Sequence, residues 1–146
     1  MKSLRIAALA IFATAAISAQ DLRMNEVPGN LIIDFQKNYK TASDVEWEME
    51  GEYYKVEFDL NRMDHEIWYA ESGEVVKSEK EITARNLPTA ILSTIKSKYA
   101  GFKVDEAEVT EINNEKIYEV ELDKGWTEEL TVVFDEKGNV ISSTRD

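Results

Sequence analysis

Two periodicities alternate along the chain from Val27 onward, and the pair of them occurs twice. Val27, Leu31, Phe35 and Tyr39 recur every fourth residue, as do Leu87, Ile91, Ile95 and Tyr99; this spacing gathers apolar side chains on one face of a helix. Pro28 and Pro88 stand where a first helical position is expected, since proline has no N–H to lose there. Lys37 and Lys40, and Lys96 and Lys98, fall near the C-terminal ends, where cations favour the helix dipole. Gly101 can close the second helix in the left-handed conformation. The remainder has period two. Val45, Trp47 and Met49 interleave with Glu46, Glu48 and Glu50, and Tyr54, Val56, Phe58 and Leu60 with Lys55, Glu57, Asp59 and Asn61, the pattern of a half-buried antiparallel strand. Gly51-Glu52 and Leu60 to Asp64 read as turns. Glu71-Ser72-Gly73 precedes a fourth strand from Glu74 to about Lys80, and Asp135 to Gly138 does the same later on. Ser78 and Glu81 also fit a capping box, which leaves open a short helix ahead of Pro88.

Three blocks recur in the same order. Val27-Pro28, Leu31, Ile32, Phe35 and Tyr39 match Leu87-Pro88, Ile91, Leu92, Ile95 and Tyr99 at an offset of 60. Tyr53 to Asp59 matches Ile117 to Asp123 at an offset of 64, and Ile67-Trp68-Tyr69, Gly73 and Val75-Val76 match Val132-Val133-Phe134, Gly138 and Val140-Ile141 at 65. The offset grows where loops are expected. The predicted fold is therefore α+β: two tandem repeats, residues 20–83 and 84–146, each a helix followed by a four-stranded antiparallel sheet, with the helices packed on one sheet face. Units of roughly 60 residues are marginal alone, so a shared core or a continuous sheet, forming one compact unit, is expected.

Residues 1–19 read as a signal peptide. Lys2 and Arg5 form a positive n-region, Ile6 to Ile17 is an uncharged apolar run, and Ala15, Ala16, Ser18 and Ala19 supply small residues near a cleavage point before Gln20. The run is short for a membrane span. The expected product is soluble, periplasmic or secreted, with no transmembrane anchor after cleavage.

The chain resembles the PepSY-like family of exported bacterial proteins, whose fold is compared with beta-lactamase inhibitor protein. The matching residues are Leu87-Pro88 opening a helix that ends at Tyr99, then Tyr118-Glu119-Val120-Glu121-Leu122, then Val133-Phe134-Asp135 with Gly138. The first copy matches through Val27-Pro28, Tyr39, Ala42, Asp44-Val45-Glu46-Trp47 and Tyr54-Lys55-Val56-Glu57-Phe58, and departs at Ala70, where the second copy has Asp135. The resemblance implies a fold and an exported setting. By analogy of fold it suggests restraint of an enzyme, the inhibitor protein binding its target across its sheet.

Composition narrows the chemistry. With 29 acidic and 17 basic residues in 146, the net charge is −12, which argues against nucleic acid as a partner. No cysteine is present, so there is no disulfide, thiol nucleophile or Cys-ligated zinc. His65 is the single histidine; its position in an inward strand pattern reads as partly buried structure. No nucleophile elbow or phosphate loop occurs, so the expectation is a protein without catalytic residues. Two binding readings follow. In the first, the outward strand positions form an acidic, aromatic-containing face for a protein partner in the cell envelope, with Trp68, Tyr53, Glu57 and Glu66 on it and Trp126 as a second anchor. An exposed Trp68 ringed by acids is the expected centre. In the second, Asp59, Asn61, Asp64 and Glu66 hold calcium at an acidic turn. No other cofactor is expected.

Overall fold

The computed structural model describes residues 20–125 and 127–145. The signal-peptide reading of residues 1–19 and the anchor reading of Trp126 lie outside them. The elements run β1 (Gln20–Leu22), α1 (Gly29–Asn38), β2 (Ser43–Glu50), β3 (Tyr53–Leu60), β4 (Met63–Tyr69), β5 (Val75–Glu81), α2 (Thr89–Lys98), β6 (Lys103–Ile112), β7 (Glu115–Lys124), β8 (Glu128–Asp135) and β9 (Val140–Arg145). All nine strands form one antiparallel sheet in chain order, β1 to β9. The sheet is thus continuous rather than two four-stranded sheets. It gains an unforeseen edge strand, β1, because Leu22 pairs with Trp47.

Two boundaries differ from the sequence reading. Pro28 and Pro88 occupy the residue just before each helix, with ψ of 131° and 140°, so the extended backbone turns into the helix one residue later. The Ser78–Glu81 pattern lies inside β5, and only a single 3-10 turn, Ala84–Asn86, precedes Pro88. Ser78 and Glu81 are held there by pairing with Glu111 and Glu108; a ladder of neighbouring strands outweighs a local cap. The two-residue hairpin turns Asn61-Arg62 and Asn113-Asn114 have positive φ at both residues (57°, 66°, 53° and 62°), the left-handed pair whose twist suits a tight hairpin.

The alternation divides the sheet into two faces. On one, α1 buries Leu31 and Phe35 against Trp47, Val56, Phe58, Ile67 and Tyr69. On the same face α2 buries Ile91 and Ile95 against Ala107, Val109, Tyr118, Val120, Leu122, Val132 and Phe134. The first core is aromatic, with the Phe35 ring centroid 4.9 Å from that of Phe58 and 5.7 Å from that of Trp47, both edge-on. The second is largely aliphatic. These are two clusters rather than one, and β5 separates them: its residues on the helix side include Ser78 and Lys80. Nine strands at about 4.8 Å spacing span roughly 38 Å, more than two helices of roughly 10–12 Å diameter can roof.

The β8–β9 turn is fastened to α2. Asp135 accepts hydrogen bonds from the backbone N–H of Lys137 and Asn139 and from the Asn139 amide, all within 2.9 Å. The Thr94 hydroxyl lies 3.1 Å from the Ala90 carbonyl and 2.8 Å from that of Gly138, within reach to donate to either. Gly138, at φ +77°, is pressed so closely on the helix that a Cβ there would lie 2.5 Å from the Ala90 carbonyl oxygen.

Candidate functional site

The second sheet face carries no helix among the described residues. Its side chains are set in cross-strand rows by the register. One row runs Glu48, Lys55, Trp68, Lys77, Ile112 and Glu115 from β2 to β7. The next runs Glu46, Glu57, Glu66, Glu79, Thr110 and Ile117. A third begins Glu81, Glu108, Glu119 and Val133. Four glutamates directly opposite one another repel, and the row survives because cations stand beside it. Lys55 bonds Glu57 and lies 3.0 Å from Glu66; Lys77 lies 2.6 Å from Glu79.

Trp68 lies on this face as the alternation predicts, but it is not exposed. Its residue is only 3% accessible, a correction to the expected anchor. The cause is local: the residues opposite it on both sides are lysines, and their ammonium groups lie 3.9 Å (Lys77) and 5.2 Å (Lys55) from the ring centroid. The indole N–H donates to Glu50 at 2.9 Å. The apolar lysine stems roof the ring and their charges face its π-cloud. Binding through Trp68 would thus involve these lysines first.

The other expected residues divide. Glu57 and Glu66 are directly opposed and share Lys55 with Trp68's row. Tyr53 lies one pleat further along β3, opposite Glu50. Asp59 and Asp64 face each other at the β3–β4 turn, and the Asp59 carboxyl is raised above its ordinary value, chiefly by the hydrogen bond and charge it shares with Asp64. Asn61 is in the turn itself. Among the described residues no cluster of three or more His, Asp or Glu side chains comes together about one point. His65 stacks on Phe58 at 5.2 Å and bonds the Met63 carbonyl through Nδ1 at 2.9 Å, the structural role its pattern predicts. Glu50, Lys77 and Glu79 were not singled out. The period-two pattern put Lys77 and Glu79 on one face of β5; their meeting with Trp68 and Glu108 depends on register, which one strand's sequence does not carry.

Burial governs the electrostatics. Lys55 is held charged well above the usual lysine range; its burial opposes this, and Glu57 and Glu66 overcome it. Glu66 is raised, first by burial, with Lys55 opposing. Glu108 is pushed up to about 8 by burial and then by its hydrogen bond to Glu79, with Glu66 and Glu119 adding repulsion. Glu79 stays low, because Glu108, Lys77 and Thr110 donate to it despite its burial. The pair is one carboxylic acid bonded to one carboxylate.

A pH dependence follows. The folded chain holds the Glu108 proton up to about pH 8, whereas the ordinary value is 4.5. Stability from this group is therefore complete below that ordinary value and is lost as pH rises toward 8. Glu108→Gln keeps a hydrogen-bond donor for Glu79 without a proton to lose. Its melting temperature is expected to gain on the wild type progressively from pH 5 to pH 8, as followed by circular dichroism. A constant difference across that range would show that Glu108 is already ionised.

Residues 52–142 match the profile of a family described as "Putative beta-lactamase-inhibitor-like, PepSY-like". No functionally curated protein matches the chain. Solved structures share the fold. A DUF2874 family protein from Bacteroides uniformis aligns with TM-score 0.64 and 21% identity, over 81% of this chain and 88% of its own. A "putative periplasmic" protein from Bacteroides eggerthii gives 0.66 and 21%, over 82% and 88%. A BLIP-like protein from Bacteroides fragilis gives 0.61 and 24%, over 81% and 85%.

Proposed function

Because the chain belongs to the PepSY-like, beta-lactamase-inhibitor-like family, we propose that it is a non-enzymatic, exported module that binds and restrains a protein partner through its open sheet face. The observation that carries this reading is the asymmetry of the sheet: both helices pack on one face, and the other keeps ordered rows of glutamates around Lys55, Lys77, Trp68 and Ile112. A layered fold ordinarily buries both faces or leaves one to solvent. Here the open face is pre-organised by ion pairs, so little side-chain freedom is lost on docking. Its charge selects a partner surface bearing lysine or arginine. We read residues 20–83 and 84–146 as tandem copies, which would give that face two related halves. The signal-peptide pattern supports export, in keeping with the Bacteroides eggerthii neighbour described as "putative periplasmic". No helix among the described residues is long and apolar enough to cross a membrane.

The test is site-specific photo-crosslinking in the native host's envelope. A photoreactive residue at Glu119 samples the open face, and one at Ile33 samples the outer side of α1, where Ile33 is 68% exposed. A single protein adduct from position 119, absent from position 33 and lost in Glu46→Lys, an exposed position of the same face, with an unchanged melting temperature, is the expected outcome. An adduct from position 33 alone would place the contact on the helix side and sink the reading. Running the same reaction with calcium or with chelator tests the alternative ligand at Asp59, Asn61, Asp64 and Glu66.

A further inference from the structure

The gap between the two helix-roofed halves forms a cleft of about 600 Å³ over β5, on the face opposite the one assigned to a protein partner. Its lining joins apolar groups (Leu60, Ile67, Ile82, Val109) with the rings of Tyr39 and Tyr118 and a few polar groups. That size and mixture are those of a small-molecule site.

The polar groups are biased toward donors. Ser78, Lys80, Glu111 and Lys116 lie on the helix side by register. Lys116 is 3.9 Å from Glu111, so that pair is neutral. Lys80 is opposite His65 and Val109 in the ladder, and its ammonium group makes no ion pair or side-chain hydrogen bond among the described residues. Asn86 accepts the Thr83 hydroxyl at 2.6 Å through its oxygen, which leaves its amide N–H groups to donate. Glu66, Glu79 and Glu81 also border the cleft, but strand alternation sends their carboxylates to the open face. In a chain of net charge −12, this cleft is a place where the local balance favours an anion.

We propose that the cleft binds a small organic carboxylate with an aromatic or aliphatic body. The carboxylate meets Lys80 and the Asn86 amide, and the body lies along Tyr39, Ile67, Val109 and Tyr118. A charge-assisted bond to an ammonium fixes the head group, and the apolar floor supplies the burial.

The experiment is a titration of the folded protein with phenylacetate, indole-3-acetate and decanoate, each beside its uncharged primary amide, followed by amide-resolved NMR. Saturable shifts at Ser78, Lys80, Asn86 and Lys116 are expected with at least one acid. Its amide should bind about tenfold more weakly, and Lys80→Ala should weaken the acid by a similar factor without changing the melting temperature. No saturable shift with any acid up to about 10 mM, equal binding of acid and amide, or shifts confined to the open face would each overturn the assignment. Because the cleft and the open face are on opposite sides of the sheet, either result leaves the crosslinking test independent.

Discussion

Trp68→Ala is expected to lower folding stability by about 3 kcal/mol, the usual cost of truncating a large buried ring. The position looks permissive, since it is on the face no helix covers. Yet the residue is 3% accessible, and its indole N–H is satisfied by Glu50 at 2.9 Å. Removing the ring takes the π-cloud away from two ammonium groups, which keep their glutamate partners, and a cation over an aromatic face contributes about 0.5–2 kcal/mol. It also uncovers the sheet where Lys55 and Lys77 hold the glutamate row together. The measurement is a denaturant midpoint, with Trp68→Phe as companion; the smaller ring should recover more than half of the loss. A loss below about 0.5 kcal/mol, the range of ordinary surface substitutions, would mean that the lysines do not roof the ring.

Gly138→Ala should be at least as damaging, and its counterpart Gly73→Ala much less so. Both glycines have left-handed backbone, at φ +77° and +97°, which costs a residue with a Cβ about 1–2 kcal/mol. They differ in what the methyl group meets. At Gly73 the nearest atom is the Asn30 amide nitrogen at 3.6 Å, an ordinary contact. At Gly138 it is the Ala90 carbonyl at 2.5 Å, with the Ile91 nitrogen at 3.1 Å. These are backbone atoms of α2 and cannot swing aside. Relief requires the helix to lift from Val132 and Phe134, so a loss above about 3 kcal/mol is expected. Comparable losses for the two substitutions would show that backbone conformation alone sets the cost.

How much of this was legible beforehand depends on the range of the interaction. The fourfold spacing of Leu31 and Phe35, and of Ile91 and Ile95, placed both helices and their buried faces within a residue or two. Alternation assigned Trp47 inward and Trp68 outward. It could not show that Trp68 would be covered, because the cover comes from β3 and β5 together. Nor could it reveal the edge strand β1, three residues long, below the length at which period two is visible. The small size of the two halves predicted a shared core or a continuous sheet without deciding between them, and did not predict the pairing of β5 with β6 that makes the sheet continuous. The Glu79–Glu108 acid–carboxylate pair crosses that same seam. Of the expected anchors, Glu57 and Glu66 are directly opposed and meet Trp68 through Lys55, while Tyr53 is a pleat away. In each case what was missed was a relation between strands distant in sequence.

The order of the sheet has a kinetic meaning as well. Each ladder joins strands that follow one another in the chain; six of the eight close short turns, and only β1–β2 and β5–β6 close over a helix, so most of the sheet grows without the entropy cost of long loops. Residues up to Glu81 complete the aromatic cluster under α1 before any residue of the aliphatic cluster is needed. A chain emerging N-terminus first can therefore bury its first core early, and β5, already paired to β4, then offers a ready edge on which β6 nucleates the second.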